Sequence, residues 1–486
     1  MKNKSFKIIF LLIAIQLFTY LPGCRESKYA GKEVKETTFL FLYTNDEHGH
    51  FYQRGGNYKA AALYEMWEEE KKECPGCKVF KLSGGDNYTG YVGSSMFYGH
   101  SMAEIMNLIG YQVSAVGNHE FDFGLKAFKR NMILSKIKYI SSNIIFSDFR
   151  NVFEPAVVFE SLDGNVAFVG ATTEDLKQVS FAKYIVDAKV VKPDRAVGRR
   201  LRELEKFNDI LVVVAHDSYE STLNWVSSLE IKPTIVFNAH SHEEIVKNHE
   251  GVLFVQAGKN LDTYARVVVV KKGREVRVLK ADLIPLKEKA DFNLKGSKKI
   301  KTLTDKYLKT VEKRAGMKLI LAKKDFKAKD FQKLYACSLL KDHPDFDVAM
   351  SNPGGFRDTI VKGAVKKSDI ISILPFNNRI VLAEVSGSAL VYNLDLTEES
   401  YCGVKKMEGK WFKEGVEIKK DGVYKVVAHE YIFGGGDYFK FDSEVGDSNI
   451  TSKDWRTPVE KYLYESSKKG LCIEKAFEQL MIKYDR

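Results

Sequence analysis

Five short stretches of this sequence hold residues that bind metal ions or move protons. They are Asp46-Glu-His48, Gly85-Asp86, Gly117-Asn118-His119-Glu-Phe-Asp122, His216 and His240-Ser-His242. An aspartate and a histidine two apart on a loop can both turn toward one cation, and a carboxylate has two oxygens with which to bridge a pair. Imidazole and carboxylate together suit zinc, manganese or iron better than calcium. Singly, each stretch is ordinary: Asp-x-His and His-x-His are common on solvated loops, Gly85-Asp86 is a turn, and Asn118 is a good helix cap. Together they include five of the chain's ten histidines, and each follows directly on an apolar run.

Those apolar runs are the elements that must carry the site. Residues 38–43, 79–82, 113–116, 165–169, 210–215 and 234–237 are short and rich in branched and aromatic side chains, which predicts strands. Several are apolar at nearly every position, the mark of strands covered on both faces. The amphipathic stretches 60–72 and 125–137 supply helices to cover them. The expectation is a layered sheet with helices on either side, continued by runs at 252–256 and 265–271. Ligands of open α/β sheets collect at the carboxyl ends of the strands, so the five stretches should converge. Ile300, Leu303, Tyr307, Leu308 and Val311 recur at helical spacing after the loop around Pro285, predicting a helix that links to a second domain. From about residue 323 the pattern is mixed α/β, with Gly-rich turns at 352–355 and 434–436.

At 486 residues, the chain is more than one core comfortably serves, and two or three domains are expected. With 44% hydrophobic and 29% charged residues it is neither disordered nor a disulfide miniprotein. Its one long apolar run, 8–20, is too short to span a bilayer as a helix. Lys2, Lys4 and Lys7 precede that run, as in a secretory signal peptide, and it ends in Leu21-Pro22-Gly23-Cys24, which resembles a bacterial lipobox. Cleavage there removes three lysines and no acid, lowering the formal charge from +11 to +8. The balance suits an anionic substrate or membrane surface, and the intermixing of 75 basic with 64 acidic residues excludes a nucleic-acid stripe. Of the five cysteines beyond Cys24, at least one stays unpaired. Cys74-Pro-Gly-Cys77 reads as a disulfide, two free thiols or half a zinc site; Cys402 is a candidate partner for Cys472, and Cys337 reads as buried and inert.

The order Asp-x-His, Gly-Asp, Gly-Asn-His-Glu-x-Asp, His, His-x-His resembles the calcineurin-like metallophosphoesterases. With Asn352-Pro-Gly-Gly-Phe-Arg357 downstream, the chain resembles the secreted 5′-nucleotidase branch, which includes UDP-sugar hydrolases and cyclic phosphodiesterases. The resemblance implies a four-layer α/β/β/α domain at 37–290, a linker helix at 291–322 and a smaller mixed α/β substrate-binding domain at 323–486, after a lipoprotein signal at 1–23. It implies two divalent ions, zinc, manganese, cobalt or iron. Asp46, His48 and His242 would hold one, Asn118, His216 and His240 the other, and Asp86 would bridge them. His119 would protonate the departing oxygen, oriented by Asp122.

In the second domain the resemblance implies substrate contacts at Asn352 and Arg357, a base sandwich between Phe376 and Tyr431, and ribose hydroxyls on Asp437. Phe376 and Tyr431 also read as plain core packing. Two departures stand out. Pro353 replaces a usual glycine, and Lys327 stands where an arginine is usual, a position a lysine cannot fill bidentately. The implied function is hydrolysis of extracytoplasmic nucleotides by a lipid-anchored enzyme facing the periplasm or cell surface, with no nucleic-acid partner. The alternatives are UDP-sugar or 2′,3′-cyclic nucleotide hydrolysis, or a binding lipoprotein that no longer turns over.

Overall fold

The alternation Phe39, Phe41, Tyr43 against Leu40, Leu42 shows how the first strand is used: the aromatic set faces one core and the leucines another. The computed structural model describes residues 36–147, 152–289, 291–442 and 449–484, so the expected signal peptide and Cys24 lie outside the described residues. Strand Glu36–Thr44 lies inside a six-stranded sheet, between Thr263–Lys272 on one side and, in parallel, Lys78–Ser83, Val113–Ala115 and Lys138–Ile140 on the other; Glu275–Pro285 forms the far edge. A second six-stranded sheet holds Val252–Ala257, Ile235–Asn238, Ile210–His216 and Val166–Thr172 in parallel, edged by Glu244–His249 and Ala156–Phe159.

The two sheets face each other across a core that includes Phe41, Phe80, Phe168, Val212 and Phe237. Helices Lys59–Glu73, His100–Ile109 and Leu125–Ser135 cover the outer face of the first sheet, and Pro193–Leu204 and Tyr219–Ser227 that of the second. This is the four-layer α/β/β/α arrangement. The single sheet expected from the residue pattern is therefore two: the run at 252–257 belongs to the second sheet and that at 263–272 to the first. An all-apolar strand needs cover on both faces, and a second sheet provides it as well as a helix does.

Helix Lys295–Ala315 leads to the second α/β half. Strand Lys318–Ala322 already belongs to that half, pairing with Gly363–Lys366. A five-stranded sheet centred on Val423–His429 packs helices Ala328–Asp342, Thr457–Lys468 and Ile473–Tyr484 on one face. Residues 36–486 form one compact unit. Cys74 and Cys77 are bonded at the end of helix Lys59–Glu73. Cys402 pairs with Cys337 rather than with Cys472, which is free and buried. The edge strand Tyr401–Cys402 runs beside Met350 and Ala349, bringing its thiol onto the helix that carries Cys337. Cys337 is thus buried but bonded.

Candidate metal centre and substrate cavity

Each candidate ligand stands just past a strand. Asp46 and His48 follow Glu36–Thr44, Asp86 follows Lys78–Ser83, Asn118 follows Val113–Ala115, His216 ends Ile210–His216, and His240 and His242 follow Ile235–Asn238. The loops are held in unusual backbone. Asp46, His48, Asp86, His240 and His242 all have positive φ, between 45° and 73°. That region costs a residue bearing a Cβ on the order of 1–2 kcal/mol, so the surrounding structure must impose it. Gly117 is required for a related reason, because a Cβ there would overlap the Asp86 carboxylate.

Two groups result: Asp46, His48 and His242, and Asp86, His216 and His240. His242 Nε2 lies 3.4 Å from Asp46 Oδ1 and 3.0 Å from His48 Nε2. His216 Nε2 lies 3.2 Å from Asp86 Oδ2 and 3.1 Å from Asn118 Oδ1. Asp46 and Asp86 are 0% and 1% exposed. Backbone N–H groups occupy one oxygen of each, His240 donating to Asp46 Oδ2 and His119 to Asp86 Oδ1. The opposite oxygens turn to the imidazoles.

These residues fit divalent cations. Nδ1 of His48 is 2.9 Å from the Thr89 carbonyl, and Nδ1 of His216 is 2.9 Å from that of Gly84. A proton on each Nδ1 leaves Nε2 as a bare lone pair aimed inward. Lone pairs of Nε2, carboxylate and amide oxygen then face one another, and Asp46 Oδ1 is buried with no hydrogen-bond donor. Only a cation or an added proton makes such a cluster favourable. Without an ion, burial pushes the His216 ring down, but the charge and hydrogen bond of Asp86, with the charges of Asp46 and Glu120, together outweigh burial and lift it to about 10. Burial, with the charge of His216, takes His240 down to about 4.

His119 is placed differently. Its Nδ1 donates to Asp122 Oδ2 at 2.8 Å, while Nε2 meets Nη2 of Arg357 from the second half of the chain. Phe376 lies against the His119 ring, centroids 5.5 Å apart, and the Arg357 guanidinium lies over Phe376. Asp437 accepts from Asn352 Nδ2 at 2.6 Å and from the Tyr431 hydroxyl at 2.7 Å. All these residues, with Asn118 and His240, border one cavity of about 180 Å³. Lys327 does not: it is exposed at the start of helix Ala328–Asp342.

Sequence reasoning passed over several contributors. Glu120, buried, accepts from the backbone N–H groups of Asp86, Asn87 and Gly117 at 2.7–2.8 Å and so clamps two ligand loops together. Glu47 accepts from Thr44, Ser83 and Asn87. Both acids sit inside motifs singled out above, and their burial is what the sequence pattern did not signal. Phe181 and Tyr184, on the loop before residue 188, form another wall of the cavity, with Phe181 edge-on to Tyr431 at 6.3 Å. No motif marks them.

Comparison with known proteins places the arrangement. The family model of the 5′-nucleotidase C-terminal domain matches residues 310–391. Protein UshA of Escherichia coli K12 is 24% identical over 442 residues, covering 78% of this chain and 80% of UshA. A 5′-nucleotidase of Vibrio parahaemolyticus is 24% identical, covering 91% of this chain and 92% of its own. The solved 5′-nucleotidase precursor of Thermus thermophilus superposes with a TM-score of 0.74 at 20% identity, over 88% of this chain and 96% of its own. The sulfate thiohydrolase SoxB of the same genus shares the fold at a TM-score of 0.71 and 12% identity, over 88% of this chain and 94% of its own.

Proposed function

We propose that this chain, similar to the 5′-nucleotidases across both halves, is a two-metal phosphoester hydrolase that releases phosphate from nucleotides. The observation that carries the reading is the single cavity. His119 with its Asp122 partner, and Asn118 and His240 of the second metal group, open onto the same space as Arg357, Phe376, Tyr431 and Asp437. Asp46, His48 and His242 would hold one divalent ion and Asn118, His216 and His240 the other, with Asp86 between them. Held by these residues, two divalent ions would supply a water of lowered pKa and positive charge against phosphoryl oxygens.

The remaining steps belong to the protein. Arg357 Nη2 and His119 Nε2 meet across the cavity, so a phosphate oxygen entering between them would accept from both. The Asp122 carboxylate accepts from Nδ1 and fixes the ring's orientation, so that Nε2 faces the departing oxygen to give it a proton. Phe376 and Tyr431 offer faces to a base, and Asp437, pinned on both oxygens, keeps lone pairs for sugar hydroxyls. Residues 37–290 would form the metal-binding half and helix Lys295–Ala315 the link, with strand Lys318–Ala322 joining residues 323–486 in the substrate half. Export through the N-terminal run, with a lipid on Cys24, places the reaction outside the inner membrane.

A second reading, hydrolysis of UDP-sugars or 2′,3′-cyclic nucleotides, draws support from the cation count. Arg357 is the one lysine or arginine lining the cavity among the described residues. A phosphodiester carries one charge per phosphorus where a monoester carries up to two, and it needs less compensation. Assay of AMP, UDP-glucose and 2′,3′-cyclic AMP separates the readings. Activity is expected to vanish with EDTA and return with Mn²⁺, Co²⁺ or Zn²⁺. Activity that survives thorough chelation would overturn the metal mechanism under either reading.

A further inference from the structure

Helix Lys295–Ala315 buries one stripe, Ser297, Ile300, Thr304, Tyr307, Val311 and Ala315. At about 100° per residue, Lys295, Lys298, Lys299, Thr302, Lys306, Lys309 and Lys313 fall within an arc of roughly 100° directly opposite that stripe. All seven are exposed. The helix's two acids stand on the flank of the arc and are already engaged. Asp305 accepts from Lys301 at 2.8 Å and from Tyr58 at 2.6 Å, and Glu312 accepts from Lys366 at 2.8 Å. None of the six arc lysines has a carboxylate partner among the described residues. The basic and acidic residues that intermix along the sequence are sorted here by helical geometry.

We infer that this lysine face docks on the headgroups of an anionic phospholipid bilayer. Six like charges along about 27 Å of rigid helix repel one another, and a plane of negative charge relieves that repulsion. Lysine is a point charge that meets phosphates from any angle, where arginine favours planar, bidentate partners. The arc holds no aromatic side chain on which a base could stack, which counts against single-stranded nucleic acid. Thr302 and the half-buried Leu303 leave the surface between the lysines shallow. No residue of the arc borders the metal and substrate cavity. The inference does not rest on lipidation of Cys24 or on hydrolysis.

The compact unit Glu36–Arg486 contains every core described above and lacks the N-terminal apolar run, so it is the form to test. It is floated with vesicles of phosphatidylglycerol or of phosphatidylcholine at low salt. Co-flotation with phosphatidylglycerol alone is expected, with release as added salt shortens the screening length. Each lysine near an anionic surface contributes about fivefold in partition, so the triple change Lys299→Gln, Lys306→Gln, Lys309→Gln should weaken binding roughly 100-fold. Its melting temperature and AMP hydrolysis should stay as in the unmodified unit. Lys419→Gln with Lys420→Gln, exposed elsewhere, should change partition little. The inference is overturned if the unmodified unit fails to float with phosphatidylglycerol, or if the triple variant floats equally well. It is equally overturned if the distant pair matters as much, or if the helix lysines prove necessary for binding duplex DNA and not vesicles.

Discussion

His119 and His240 border the same cavity, yet their ring nitrogens meet different partners. His119 has Nδ1 on Asp122 and Nε2 on Arg357, whereas His240 stacks edge-on to His216, 5.0 Å away, within the second ligand group. On the proposed function, one ring would exchange a proton and the other would give a lone pair to a cation. His119→Ala should therefore keep about two metal ions per chain while turnover falls on the order of 10²–10⁴-fold for a substrate with a poor leaving group. His240→Ala should lose metal, and part of its activity should return in excess metal by mass action. Asp122→Asn should follow His119→Ala more mildly, because the ring remains and loses only its orienting charge. Metal stoichiometry measured beside rate checks all three. If His119→Ala sheds metal as readily as His240→Ala, the proton-transfer role assigned to His119 is wrong.

At the scale of elements, the candidate ligand loops owe their shape to buried acids, Glu120 and Glu47, that do not border the cavity. Glu120 gathers the N–H groups of three residues from two loops, so the positive-φ turn at Asp86 is held from outside rather than by its own preference. The Cys337–Cys402 bond works similarly in the second half, tying helix Ala328–Asp342 to a two-residue edge strand with little pairing of its own. The bond closes a sequence separation of 65 residues. A loop of that length, cross-linked in the unfolded chain, corresponds to about 4 kcal/mol of stabilisation on the chain-entropy account. Cys402→Ser is expected to lower the stability of the second half by an amount of that order, while the Cys74–Cys77 loop, only three residues along the chain, should matter much less when opened. Chemical denaturation of the two variants side by side would show the contrast, and equal losses would contradict it.

For the whole molecule, the cost of the site is concentrated in a few buried charges. Asp46 and Asp86 are buried in the first half, facing imidazoles whose lone pairs oppose them. An ion that binds the folded chain and not the unfolded one offsets that cost by linkage, about 2.7 kcal/mol at a hundredfold excess over its dissociation constant. Mn²⁺ or Zn²⁺ should therefore raise the melting temperature by several degrees, at roughly 2–4 °C per kcal/mol for domains of this size. His240→Ala should lose much of that shift and His119→Ala should keep it. Thermal scans across a metal titration test this without any substrate, and a melting temperature indifferent to metal would count against the ligand assignment.

Much of this was legible along the chain because the signals act over short distances. A carboxylate and an imidazole two residues apart, an apolar run of strand length, and the 3.6-residue repeat from Ile300 to Val311 are set by local geometry, and the structure has the corresponding strands and helix. Tertiary packing settled what local geometry leaves free. Whether an all-apolar strand is covered by a helix or by another sheet depends on partners far along the chain, which is why one expected sheet is two. Cys402 could pair with whichever thiol the fold brought near, and the fold brought Cys337. Phe181 and Tyr184 carry no motif, and they line the cavity only because the two halves meet there. The lysines of helix Lys295–Ala315 draw no notice in a chain of mixed charge. They become a face once the opposite side of that helix is buried, since only burial decides which arc of a helix is left to solvent.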